Sequence, residues 1–476
     1  MTDAATLASA ANALVTAPAG CGKTHLISEA VCGHGTRREL VLTHTHAGVD
    51  ALRRKMQSPV HGSEGYVVDT LAGWALRYAS AFPRTSGLRN PLPSDKTEWD
   101  NVYDAARNLL VRRPLREMLR ASYSGAYVDE YQDCTIQQHR LVVAIADVIP
   151  MRVLGDPLQG IFDFGQNEPV DWDRDVRSRF SELPSLTHPW RWESKNPELG
   201  RWLISVRAEL LQGRPVNLRG APVRWERLPQ TSHIVGQVCV CLEIARQATC
   251  TVVAIHGMPE QCHFVASRLK GLYQCVEPIE SEDFFQSGAR IQTSHGPARA
   301  AEVIDFAEKC MTRVGRALRP VRDRYRSGSI PRTRQGQLSP VHDVLRHVAE
   351  NDSLCAVIVA LERIRSIPNA IMFRRELFDE MIQGLRAAAA RDGLLEDALW
   401  EVRNRTRFAG RRFGRCVVGS TLLVKGLEFD HAIVLDADGM DATDLYVALT
   451  RGSRSLTIFS RAPRITPRWN KQDRPI

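Results

Sequence analysis

No apolar run in the 476 residues reaches the ~20 that a membrane-spanning helix requires, so a soluble chain is expected. The opening residues, Met1-Thr-Asp-Ala-Ala, lack the basic n-region and apolar core of a signal peptide, and a cytoplasmic address follows as the expectation. No Cys-x-x-Cys pair occurs among the eleven cysteines, which argues against a zinc or iron–sulfur centre. Cys239 and Cys241 alternate in an apolar stretch that reads as a strand, and both are expected as buried thiols. Lysine is scarce, and the net charge of +9 rests on arginine, a surplus that points to a polyanionic partner.

Hydrophobic content of 43% and charged content of 25% are ordinary for globular proteins, and the chain is too long for one core, so two or more domains are expected. An apolar segment at Ala13 to Thr16 runs into Ala17-Pro18-Ala19-Gly20-Cys21-Gly22-Lys23-Thr24, followed by a helical pattern to Cys32. Strand, glycine-rich turn and helix is the context of a phosphate-binding loop, with Ala17 standing where the pattern has glycine. Backbone N–H groups between Ala19 and Thr24, through Gly20, Cys21, Gly22 and Lys23, would face a polyphosphate at the positive end of a helix dipole. Lys23 would reach the β- and γ-phosphates of ATP, and Thr24 would hold Mg²⁺.

A second strand pattern, Ala126-Tyr-Val, ends in Asp129-Glu130-Tyr-Gln-Asp133. Asp129 would bind Mg²⁺ and Glu130 would orient and deprotonate an attacking water; alone, two such acids mark only a polar turn. Met151 to Leu154 is a further strand, ending in Gly155-Asp-Pro-Leu-Gln159. Ligands of open parallel sheets gather at the carboxyl ends of strands, so Gln159 would sense the γ-phosphate beside Lys23 and Asp129. Phe162 and Phe164 alternate on the next turn, with core packing as the plain alternative.

These motifs, with Thr187-His-Pro-Trp-Arg191, Lys425-Gly-Leu-Glu-Phe429 and Tyr446-Val-Ala-Leu-Thr-Arg451, resemble the UvrD/Rep/PcrA branch of superfamily 1 helicases over residues 13 to about 459. The resemblance implies an α/β fold of two RecA-like P-loop domains with parallel sheets and reduced helical insertions. It implies ATP and Mg²⁺ as cofactors and 3′ to 5′ movement on single-stranded or tailed DNA. Arg191 and Arg451 would then stabilise charge on the transferring phosphoryl group, as guanidinium forks do. Trp190 would stack on the base, Gly426 and Glu428 would lie at the nucleotide with Glu428 on its ribose, and His25 replaces the more usual arginine. Thr43, His44, Thr70, Phe162 and Phe164 would touch the DNA strand.

Under the same resemblance, residues 1–183 form the first domain, with a short insertion at about 81–120. Residues 184–290 and 411–476 form the second domain, interrupted by a helical insertion at 291–410. No glutamine precedes Ala13 to read adenine, and the run from Val434 to Asp444 leaves little room for the hairpin wedge of duplex-separating members. Only a short basic tail follows the last strand at Ser455 to Phe459, so no appended nuclease is expected. These features also resemble the helicase-like subunit of the Gabija anti-phage system, which implies a DNA-stimulated ATPase, an OLD-family nuclease partner and a role in antiviral defence. Arginines bunch at Arg313 to Arg334 and at Arg403 to Arg415, where Phe408 and Phe413 interleave. They suit phosphate contact and base stacking or a protein partner, with a solvated linker as the plain alternative.

Overall fold

The computed structural model describes residues 1–468 apart from 35–37, 57–64, 94–95, 162–167, 230–232, 248, 279–280, 333–335, 392 and 410–412. The chain divides into two compact units. One comprises Met1–Pro222, Met440–Arg454 and Thr466–Ile476, and the other Val223–Gly439 and Ser455–Ile465. The first unit therefore extends past the expected boundary at residue 183. The reason is local: Leu186 N–H bonds the Thr16 carbonyl, Arg191 N–H bonds the Gly20 carbonyl, and Arg207 pairs with Asp156, so residues 184–222 stay on the unit they have just left.

Six strands build the first sheet: β1 (Asn12–Thr16), β2 (Glu39–Thr43), β3 (Tyr66–Thr70), β4 (Gly125–Val128), β5 (Met151–Gly155) and β6 (Ser181–Leu183). Their order is β3-β2-β4-β5-β1-β6, with parallel pairing throughout. All five residues of β2 and of β5 are buried, as a parallel strand covered on both faces requires. Successive side chains alternate between two cores. Leu40, Leu42, Ala126, Val128, Met151 and Val153 enter one, while Val41, Tyr127 and Leu154 enter the other. In this register Thr16 lies beside Gly155 and Val128 beside Val153, so β1, β4 and β5 finish close together.

After the short β7 (Val216–Asn217), the second unit holds β8 (Arg224–Arg227), β9 (Val252–His256), β10 (Gln274–Cys275), β11 (Cys416–Ser420), β12 (Phe429–Val434) and, from Ser455 on, β13 (Gly452–Ser460). They form a sheet in the order β10-β11-β9-β12-β13-β8, with β9 flanked in parallel by β11 and β12. The α/β class with two parallel sheets is as the sequence led us to expect, and each sheet has six strands. Between β10 and β11 the described residues contain seven helices, from Glu282–Thr293 to Leu395–Ala409, packed on a core that includes Phe284, Phe306, Leu345, Leu361 and Phe378.

The expectation for Cys239 and Cys241 is corrected. They lie on the helix His233–Gln247, where two residues are about 200° apart, so Cys241 is buried and Cys239 exposed. Alternation over a handful of apolar residues does not separate a strand from a buried helix. Among the described residues no helix is long and apolar enough to cross a membrane.

One buried ion pair ties the helical part of the second unit to its sheet. Arg374 donates from Nε and Nη2 to the two Glu277 oxygens, each at 2.8 Å, and Glu277 is fully buried. His263 and Cys275 lie near the same carboxylate in a ligand-like group, but the guanidinium occupies both of its oxygens. Burial works against the Glu277 charge, yet the bonds from Arg374 and His263 outweigh it and lower its pKa from 4.5 to about 2. Its contribution to stability is therefore complete above pH 4.5 and is lost as the pH falls from there toward about 2. Arg374→Ala, which strands the buried carboxylate, should destabilise this unit by about 3–5 kcal/mol in urea unfolding at neutral pH.

Candidate nucleotide site

At the end of β1 the Ala17 N–H bonds the Gly155 carbonyl at 2.9 Å, extending the β1–β5 ladder into the loop. Gly20 and Gly22 have φ of +71° and +91°, a conformation that disfavours side chains. At Gly20 a Cβ would also fall 2.5 Å from the Trp192 ring. The Leu26 N–H then bonds the Gly22 carbonyl and the helix Lys23–His34 begins. The loop from Ala19 to Thr24 is thus a turn around an open helix N-terminus, which suits an anion.

Lys23 is buried, with Nζ 3.5 Å from the Ala17 carbonyl and 3.6 Å from Glu130 Oε2. Burial opposes its charge, but Glu130, Asp129 and Asp156 prevail and hold its pKa above the usual value. Thr24 Oγ1 donates to Asp129 Oδ2 at 3.2 Å. Burial first, and the neighbouring Glu130 second, raise the Asp129 pKa to about 6. Two hard oxygens converging beside a lysine are a donor set that fits Mg²⁺ held jointly with phosphate.

Glu130 adopts a left-handed backbone, φ +55°, uncommon for a residue with a side chain and a mark of functional turns. Its N–H bonds Asp129 Oδ1 at 2.9 Å, and Gln132 Nε2 donates to Glu130 Oε2 at 2.5 Å. Gln132 Oε1 accepts from the Asp156 N–H at 2.9 Å. Asp156, fully buried, accepts from Gln159 Nε2 at 3.0 Å on one oxygen and from Arg207 Nη2 and Nε at 2.9 and 3.2 Å on the other. Lys23, Glu130, Gln132, Asp156, Gln159 and Arg207 are therefore one connected network.

Gln132, Asp156, Arg207 and Tyr446 were not singled out from the sequence. Arg207 did leave a signal: it follows Leu203 by four residues on the buried face of the helix Pro197–Leu211, where an arginine needs a partner. Tyr446, also buried, accepts a hydrogen bond from the Ala19 N–H at 3.1 Å.

Of the expected arginines, Arg191 donates to the Thr450 carbonyl at 2.8 Å, and its backbone N–H meets the Gly20 carbonyl at 3.1 Å. Arg451, 1% exposed, donates from Nε to the Val447 carbonyl and from Nη2 to Thr450 Oγ1, each at 2.9 Å. Trp190 is exposed, and its ring borders Gly22, where a Cβ would lie 3.2 Å from Cδ1. Its ring centroid is 4.1 Å from that of His188. His25 points to solvent and lies 3.3 Å from Glu29. Gly426, with φ of +76°, and Glu428 belong to the second unit, between the short helix Thr421–Val424 and β12.

The residues expected to touch DNA are placed unevenly. Thr43 is buried at the end of β2, and His44 Nε2 lies 3.6 Å from Cys134 Sγ. Thr70 is buried and its hydroxyl caps the helix Leu71–Ala81, accepting from the Gly73 N–H at 2.9 Å. Phe162 and Phe164 lie outside the described residues.

A cation bound at Thr24 and Asp129 requires the carboxylate form of Asp129. Its affinity, titrated calorimetrically with a non-hydrolysable ATP analogue, should therefore rise as the pH is taken from about 5 to about 7. Asp129→Asn should flatten that dependence. The sign for the unbound fold is the reverse: between 3.8 and about 6 the folded chain keeps a proton that the unfolded chain releases, so stability falls as pH rises through this window.

Residues 89–170 match the model of the UvrD/REP helicase N-terminal domain. No curated protein matches the chain. Among solved structures, the complex of Arterivirus nonstructural protein 10 (helicase) with DNA is 14% identical, with a TM-score of 0.27, over 53% of this chain and 49% of that one. The DUF1998 helicase MrfA bound to DNA and AMPPNP is 9% identical, with a TM-score of 0.38, over 95% of this chain and 46% of that one. The match thus spans about half the length of each of those two chains. The family-model match takes in the Asp129-Glu130 turn and Gln159 and ends before Trp190 and Arg191.

Proposed function

We propose that the chain hydrolyses ATP to drive movement along single-stranded DNA, 3′ to 5′, as a helicase or translocase of the UvrD-like class. The observation that carries this reading is the unbroken network from Lys23 through Glu130, Gln132 and Asp156 to Gln159 and Arg207. It joins the Lys23 ammonium, the Glu130 carboxylate and the Gln159 amide beside the loop Ala19–Thr24. Lys23 and those N–H groups would hold the β- and γ-phosphates, and Thr24 with Asp129 would hold Mg²⁺, which neutralises phosphate charge when bound. Glu130, positioned by Gln132, would take the proton of the attacking water. Gln159 would register the γ-phosphate, and Arg191 and Arg451 would stabilise charge developing on it. Trp190, exposed beside Gly22, would offer the base a stacking face.

A second reading rests on the connection between β12 and the helix Ala442–Leu449, which is only residues 435–441. That is too short for a strand-separating hairpin. It favours a DNA-stimulated ATPase that opens duplex poorly alone and works beside a nuclease partner, including in anti-phage defence.

Hydrolysis by the purified chain, measured with and without single-stranded DNA, tests the shared core of both readings, and a 3′-tailed duplex separates them. Stimulated hydrolysis with strand separation supports the helicase, and stimulated hydrolysis with an intact duplex supports the partnered ATPase. Glu130→Gln should leave nucleotide binding in place and cut turnover by on the order of a hundredfold or more. Near-normal turnover in that variant would remove Glu130 from the chemistry.

A further inference from the structure

We infer that the outer face of two packed helices in the second unit, Glu282–Thr293 and Leu395–Ala409, is a docking surface for a basic segment of another protein. The inference lies outside the nucleotide site and holds under either reading above.

The second helix is seated on the first by its inward residues. Leu399 packs where Gly288 and Gly384 leave room, and a Cβ at either glycine would run into its side chain. Arg403, fully buried, lies 4.4 Å over the Phe284 ring and pairs with Glu380 at 2.8 Å. The Leu395 N–H bonds Gln292 Oε1, so the start of one helix meets the end of the other and the two run antiparallel.

This packing turns Trp400 outward over Phe285, the rings stacked with centroids 4.3 Å and planes 22° apart. Trp400 is 40% exposed. One turn before it stand Glu396 and Asp397, and one turn before Phe285 stands Glu282, all three exposed. Because the helices are antiparallel, these acids bracket the ring pair from its two ends. Glu396 and Asp397 make no ion pair or hydrogen bond through their side chains among the described residues, and Glu282 accepts from Gln286 at 2.7 Å. Among the described side chains of the two helices the basic residues are matched internally: Arg290 lies 3.8 Å from Glu302, and Arg405 3.3 Å from Glu401.

Acids in a first turn suit the helix dipole, but no dipole accounts for the displayed rings between them. Three carboxylates repel phosphate, so the face does not suit a nucleic-acid backbone. A tryptophan face flanked by carboxylates binds a guanidinium or ammonium group well: the ring quadrupole attracts the cation, and the carboxylates accept from its N–H groups. Covering the ring pair adds apolar burial, and tryptophan is enriched among the residues that dominate protein interfaces. Glu396 precedes Trp400 by four residues and Glu282 precedes Phe285 by three, which sets the two acidic ends about 10 Å apart. Three residues of extended peptide span about that length, so a segment with arginine or lysine at every third position matches the face.

The test is the fluorescence anisotropy of a labelled glycine–serine peptide of about ten residues, with arginine at every third position, titrated with the full chain at about 50 mM salt. Saturable binding is expected, with no binding when glutamine replaces the arginines. W400A should weaken it about tenfold, and so should E282Q/E396Q/D397N, which keeps shape and removes charge. Stimulation of hydrolysis by single-stranded DNA should be unchanged in both variants, so the motor reading stands or falls separately. No binding by the unsubstituted chain, or equal binding by the variants, overturns the inference. So does a dimer in sedimentation that W400A dissociates, which would give the face to a second copy of the chain. Loss of DNA affinity in W400A would give it to nucleic acid, and overturns the inference as well.

Discussion

A single buried cation sets the terms for the first unit. Lys23 has left water, and three carboxylates, Glu130, Asp129 and Asp156, stabilise its charge. Each of those acids would be costly in isolation, and each is satisfied by a different element: Thr24 for Asp129, Gln132 for Glu130, Arg207 and Gln159 for Asp156. The strand ends, the loop, the turn after β4 and the helix Pro197–Leu211 are thereby fixed against one another by charge rather than by apolar packing alone. Two negative groups crowd one positive one at Asp129 and Glu130, and burial leaves Asp129 reluctant to ionise.

Much of this was readable from residue order. Buried parallel strands announce themselves as continuous apolar runs, and their ends are marked by residues that apolar packing cannot explain: glycines before Lys23, paired acids after Val128, Gly-Asp-Pro after Leu154. Partners contributed from far along the chain were harder. Gln132 and Asp156 sit inside motifs already noticed, but their mutual bond depends on β4 and β5 being neighbours, and a pairing order is not written in either segment. Arg207 required knowing which face of its helix is buried. Composition does not change at residue 183, and the chain continues from there on the same compact unit through specific hydrogen bonds. The Cys239–Cys241 stretch misled for a simpler reason, since a handful of alternating apolar residues fits either period.

The second unit divides its labour differently. Its sheet and its helical part share the Arg374–Glu277 pair, a fixed and fully neutralised contact. The arginines of the helix Val314–Arg326 are only partly neutralised. Within one helix, then, the same residue type serves as internal glue where Asp305 and Glu308 face it and stands exposed elsewhere.

The bond from Ala19 N–H to the Tyr446 hydroxyl joins residues 427 positions apart. Arg191 and Trp192 are likewise bonded to the carbonyls of Thr450 and Gly452. The phosphate loop thus leaves a ribosome long before the residues that complete it. More than two hundred residues separate Pro222 from Met440, which at about 5–20 residues per second is a wait on the order of ten to forty seconds. During that interval the nascent loop lacks its Tyr446 contact and Arg191 lacks Thr450. In a chain cut short before Met440 neither contact can form, so the hydrogen bonds of this loop are complete only once residues beyond Met440 have been made.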